Sequence, residues 1–123
     1  MIRNATRGTI IASNVRVLTT MTAQARGLMF KTLSLDTAYA FPFNWPRKEV
    51  VIMPFVRQPL DLIFLDTAGR VLETCESLKP WHNYNAKQTA DMLIEVHEGT
   101  IARTNTRIGD KIILESDDRK KDI

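Results

Sequence analysis

The chain predicts a mostly β domain, a compact antiparallel β-sandwich or barrel of about seven or eight short strands with one or two short helices. Three observations carry that prediction. Apolar segments are short and end at Gly, Pro, Asn or Asp. One stretch, "LDLIFLDTAGRVLETCE", reads as a complete hairpin. And no two strand candidates are separated by a helical pattern long enough for a parallel crossover.

The elements follow in chain order. "TIIASNVRV" holds two β-branched pieces around the turn pair Ser13–Asn14, so it predicts an opening hairpin or a bent strand. "TAQARGLMF" predicts a short helix, with Thr20 or Thr22 as its N-cap. Gly27 interrupts that pattern at about 1 kcal/mol, which is reasonable where the backbone approaches the sheet closely or the helix ends. "TAYAFPFNWP" alternates aromatic and small residues, but Pro42 and Pro46 lack donors and suit an edge strand or irregular crossing. "EVVIMPFV" reads as a strand buried on both faces and bent at Pro54. Leu60–Leu65, a type I turn at Asp66–Gly69 and Val71–Cys75 form the hairpin. "SLKPWHNYNAKQ" is a polar loop, "ADMLIEVHEGT" a strand, and "TIARTNTRIGDKIIL" a helical turn, a turn and a last strand.

Length and composition bound what this fold can be. At 123 residues the chain suits one domain, able to bury roughly two-thirds of its unfolded surface. Residues 1–114 are assigned to it and 115–123 to a polar tail expected to be disordered. The 44% hydrophobic and 25% charged composition is that of a globular protein. The net charge of +3 is spread along the chain rather than gathered in one run, which argues against nucleic acid as a partner. One cysteine, Cys75, excludes an intrachain disulfide. The first residues hold no signal-like apolar run and no segment approaches a membrane span, so a cytoplasmic protein is expected.

Candidate chemistry is sparse. His82 and His97 show no ligand spacing, so neither a metal nor a cofactor is expected. His97 is read as solvent-facing or paired with Glu95 or Glu98. Cys75 reads as a small core residue, no nucleophile elbow appears, and the glycines never cluster into a phosphate loop. Asp61 stands out among apolar neighbours and must be paired or hydrogen-bonded. It is either a site carboxylate facing Arg26 or Arg57 or half of a buried salt bridge, and the salt bridge is favoured. Trp81, Tyr84, Trp45 and Phe41 would either line a groove for a flat ligand or pin loops over the core, and pinning is favoured.

"TTMTAQARGLMF", "VIMPFVRQPLDLIFLDTAGRVLE" and "DMLIEVHEGTIARTNTRIGDKIIL" together resemble the domain of unknown function 192 family across residues 14 to 114. The motifs carrying the resemblance include Arg26–Gly27–Leu28–Met29, Pro59–Leu60–Asp61, Glu95–Val96 with Gly99, and Ile108–Gly109–Asp110. It implies an antiparallel β-sandwich or barrel with a short helix and no established activity; many members look exported. Where the family reads Trp–Met–Lys–Asn–Thr this chain has Ile52–Met53–Pro54–Phe55–Val56, and where relatives carry a loop cysteine it has Pro80–Trp81–His82.

The expectation is therefore a non-catalytic binding module for a small molecule, peptide or protein partner. Its candidate site joins Arg26, Arg57, Asp61 and Asp66, rimmed by Trp81 and Tyr84. The rival is an enzyme acting on a carbohydrate-like or other polar substrate through Asp61 and neighbouring carboxylates. Asp61 and Asp66 differ by an odd number, so a regular strand points them to opposite faces, against that rival. Weak nucleic-acid binding is a third reading.

Overall fold

In a computed structural model, residues 1–20, 23–24 and 27–115 are described. Arg26 lies outside them, as does the tail beyond Glu115. The strands are β1 (Ile2–Asn4), β2 (Thr9–Ala12), β3 (Asn14–Val17), β4 (Thr37–Arg47) and β5 (Val50–Ile52), then β6 (Leu60–Leu65), β7 (Val71–Leu78), β8 (Asn83–Asn85), β9 (Ala90–His97) and β10 (Ile112–Leu114). One short helix, α1 (Thr100–Thr104), follows β9.

A five-stranded sheet, β3-β4-β9-β6-β7, forms the middle of the molecule. β6 and β9 pair antiparallel, Asp61 opposite Val96 and Leu62 opposite Glu95. Both strands are covered on both faces, because side chains alternate across a strand and each face meets its own core. One core joins Leu60, Leu62 and Phe64 of β6 to Phe41, Leu93, Leu28 and Met53. The other joins Ile63, Leu65, Ile94 and Val96 to Ile2, Ile11 and Ile101. The three-stranded sheet β10-β1-β2 and α1 close the second face. The ribbon β5-β8 and the segment around Leu28 and Leu33 cover the first. The arrangement is sandwich-like, and its sheets do not close into a barrel.

Local readings meet the structure unevenly. Thr20 is the cap, its Oγ1 accepting the Ala23 N–H at 3.0 Å. Gly27 donates to Ala23 O at 2.9 Å and adopts a positive φ of 43°, with Phe41 ring carbons from 3.7 Å of where a side chain would start. The helix end and its positive φ are what call for glycine, since a side chain would meet Phe41 only at ordinary contact distance. Around Ser13 the chain is a bend: β2 pairs with β1 while β3 joins β4, in parallel, in the other sheet. β4 is an interior strand only as far as Ala40, opposite the last residue of β3. Beyond it Pro42 needs no donor on that side, and its carbonyl accepts from Gln24 Nε2 at 2.8 Å. The run "EVVIMPFV" does not form a strand buried on both faces. Only Val50–Ile52 is extended, in a two-stranded ribbon where Val51 is buried and its neighbours face outward.

The Asp66–Gly69 turn forms as predicted. Asp66 Oδ1 accepts the Ala68 and Arg70 N–H groups, each at 2.9 Å. Gly69 closes the turn at φ 81°, and a Cβ there would meet Ile112 O at 2.6 Å. Gly8 also has positive φ, 71°, but has open space around it. Gly69→Ala is therefore expected to destabilise by about 3 kcal/mol, left-handed strain plus a backbone clash, and Gly8→Ala by only about 1 kcal/mol. Denaturant unfolding of the two variants checks the difference; equal losses would contradict it.

Candidate functional site

Two carboxylates sit on the buried β6–β9 pair, and their surroundings differ. Asp61 is fully buried on the face that α1 covers. Its Oδ1 accepts the Ser77 N–H at 2.9 Å, and its Oδ2 accepts the Gly99 and Ile101 N–H groups at 3.1 and 3.0 Å. Gly99 and Ile101 flank the start of α1, where the backbone leaves donors without intrahelical partners. A carboxylate there satisfies those donors and is stabilised by the helix dipole in return. Ser77, at φ 57°, lies where β7 slips register against β6, Leu62 facing Cys75 and Leu60 facing Leu78. Asp61 thus ties β6 to a bulge in β7 and to the entry of α1.

Asp61 is therefore not paired with Arg57, while the Arg26 half of that expectation lies outside the described residues. The described partners of its oxygens are backbone amides, and Arg57 is exposed and forms no ion pair among the described residues. Asp66 holds its own turn at the other end of the strand, so Asp61 and Asp66 are separated by roughly 16 Å of extended chain. The aromatic residues considered as groove lining or loop pins also divide. Trp81, 63% exposed, stands edge-on to Phe55 at 4.9 Å, and Phe55 stacks on Phe30 at 4.8 Å. All three have positive φ, and Phe30 N–H donates to Phe55 O while Trp81 N–H donates to Met53 O, both at 2.9 Å. Tyr84 instead packs on Phe64 at 5.9 Å and donates its hydroxyl to Glu73. Burial alone would raise the Glu73 carboxyl, but bonds from Tyr84, Lys87 and Gln88 hold it below its ordinary value. The Tyr84 hydroxyl is pushed up by burial and by Glu73. Cys75 is pushed up by burial and by the carboxylates of Asp61, Glu73 and Glu76, which suits an inert thiol. His97 meets the carbonyl oxygen of Glu98 at 2.9 Å, through Nδ1. Among the described residues no cluster of His, Cys, Asp or Glu is arranged to hold a metal ion.

The concave site lies on the opposite face. A cavity of about 390 Å³ is lined by Leu28, Phe41, Met53, Leu93 and Glu95, with Glu49 and Arg47 beside them. It opens past Asn44, Trp45 and Ile52, all exposed. Glu95 is 7% exposed and accepts no hydrogen bond from any described residue. Burial pushes its carboxyl up to about 8, and the Glu49 carboxylate adds to the shift. Glu49 pairs with Arg47 at 3.1 Å, and the Arg47 guanidinium lies 4.2 Å over the Phe43 ring and 5.2 Å from Trp45. Sequence reasoning passed over Glu95 as a pairing partner for His97. The available signal was a lone carboxylate between Ile94 and Val96, the pattern that had singled out Asp61.

The two carboxylates predict opposite stability effects. Asp61→Asn loses a charge-assisted acceptor and orphans a buried N–H, a loss of about 3 kcal/mol. Glu95 titrates near 8 when folded and from 4.5 as its ordinary value, so the folded state holds the extra proton between those values. Its contribution is full below the unfolded value and is lost as pH rises towards about 8. Glu95→Gln removes that decline and is expected to be more stable than wild type at alkaline pH. Denaturant melts of both variants across this range check the pair of signs, and a Glu95→Gln protein less stable than wild type above pH 8 would contradict the account.

Comparison with known proteins places this geometry among relatives. The sequence model of DUF192, described as an uncharacterized ACR, matches residues 2–114. A UPF0127 protein of Thermococcus sibiricus is 32% identical over all of this chain and 80% of its own length. One from Pyrococcus horikoshii is 30% identical over 91% of this chain and 96% of its own. A crystal structure of a protein of unknown function from Novosphingobium aromaticivorans superposes with a TM-score of 0.76 at 28% identity, covering 81% of this chain and 74% of that one.

Proposed function

The chain belongs to the uncharacterised family DUF192, and for this member we propose a small-molecule binding module whose site is the cavity over Phe41, Leu93 and Glu95. The observation that carries the reading is Glu95 itself: a carboxyl nine-tenths buried, facing a cavity, with no partner among the described residues. A buried carboxyl that opens on a cavity is placed to hydrogen-bond what fills it. A volume of about 390 Å³ falls within the range of sites that hold small ligands. An apolar lining with a few convergent polar groups is also the usual make-up of such sites.

Binding is favoured over catalysis because the acids a hydrolytic reading would use are occupied. Asp61 and Asp66 both hold backbone amides, at opposite ends of β6. Glu95 and Glu49 share a cavity, but Glu49 is already bound to Arg47. Pro54, Val50 and Ile52 give the rim an apolar character.

The methionine methyl groups provide the test. Met29 and Met53 line the cavity, whereas Met92 packs against the other core. In a fragment screen by methyl NMR, binding fragments are expected to shift Met29 and Met53 and leave Met92 in place. Shifts spread evenly over all methionines, or none with any fragment, would contradict a site here.

A further inference from the structure

The charges on the cavity say more than that it can be filled. Three charged side chains line it among the described residues: Glu95, Glu49 and Arg47. The single cation is engaged, paired with Glu49 at 3.1 Å and stacked on Phe43 and Trp45. Glu95 faces the remaining space and forms no ion pair with a described residue, whether on its own strand or on the other elements packed against it. Its cross-strand neighbours are Tyr39 on β4 and Leu62 on β6. Arg16 of β3 sits over the Tyr39 ring at 5.9 Å. Gly27, Leu28 and Met29 bring only apolar groups. Besides the amides of Gln24 and Asn44, the wall includes groups that suit an ammonium and its apolar body, the aromatic rings of Phe41 and Trp45 and the thioethers of Met29 and Met53.

We propose that this cavity binds a small organic cation, an alkyl- or aryl-ammonium, with its charged head against the Glu95 carboxylate and its apolar body on Phe41, Met53 and Leu93. The proposal rests on the reading of the cavity as a ligand site and names the class of its occupant. An anion is disfavoured because Arg47 is already paired with Glu49 and a like charge beside the Glu95 carboxylate in a low-dielectric site is expensive. A neutral ligand would leave Glu95 protonated. A cation makes the ionised form the better one, so binding expels one proton from Glu95 to solvent and strengthens as pH rises.

The test uses the full chain and three probes of similar shape: benzyltrimethylammonium, whose charge is permanent, neutral 2-phenylethanol and anionic 3-phenylpropionate. Affinities are read from the Met29 and Met53 methyl shifts at about pH 6 and about pH 8.5, either side of the Glu95 titration. At the higher pH the cation is expected to bind at least about tenfold more tightly than the alcohol, and the anion least. Lowering the pH is expected to weaken the cation by more than about tenfold and the alcohol hardly at all. Glu95→Gln, which keeps the shape and removes the charge, is expected to retain the alcohol and lose both the cation preference and its pH dependence. An alcohol bound as tightly as the cation, or a cation preference that survives in Glu95→Gln, would overturn the proposal and leave the ligand site standing. No shift at Met29 or Met53 with any probe would overturn both.

Discussion

The middle strands β6 and β9 are covered on both faces, and every polar side chain they point inward must be satisfied where it stands. Water cannot reach these positions freely, and an ionised carboxylate without donors is unstable there. The structure meets that constraint in two ways. Asp61 gathers three backbone N–H groups from a bulge and a helix entry. Glu95, one register step away and on the opposite face, faces a cavity and holds its proton up to about 8. One carboxylate is therefore a tie between elements, and the other opens on a cavity.

The difference follows from what covers each face. Over Asp61 lie a regular three-stranded sheet and a helix, which interlock with Ile63, Ile94 and Val96 and leave Asp61 fully buried. Over Glu95 lie a short ribbon and loops whose backbone enters left-handed geometry at Gly27, Phe30, Phe55 and Trp81. Such loops fill a face less completely than regular elements do. The contacts between Phe30, Phe55 and Trp81 and the backbone bonds joining their loops hold the cover in place without closing it. Apolar Val50 and Ile52 face outward on the same side, because a two-stranded ribbon has only one face to bury.

Much of this was legible in the sequence. The hairpin of β6 and β7 was written in its turn chemistry, Asp66 and Gly69 each doing what its type requires. Gly27 was legible as a residue placed for its backbone. What could not be read was which apolar run lay between two layers. "EVVIMPFV" and "LDLIFL" look equally buried, yet only the second is enclosed, since enclosure depends on elements distant in the chain. For the same reason Asp61 was recognised as exceptional while its backbone partners were missed: amides of Ser77, Gly99 and Ile101 carry no mark in a one-letter code. Glu95 was overlooked because alternation along β9 was taken to give it a solvent-facing partner, when both faces of that strand are covered.

The central claim is that Glu95 is a carboxyl kept neutral by burial and facing a cavity. Carbon-13 NMR of its side-chain carboxyl during a pH titration of the free protein tests this most directly. The account predicts a midpoint near 8, shifted by burial and by Glu49, and lower in a Glu49→Gln protein. A midpoint close to the ordinary 4.5 would mean that Glu95 is already paired or solvated, and would contradict it.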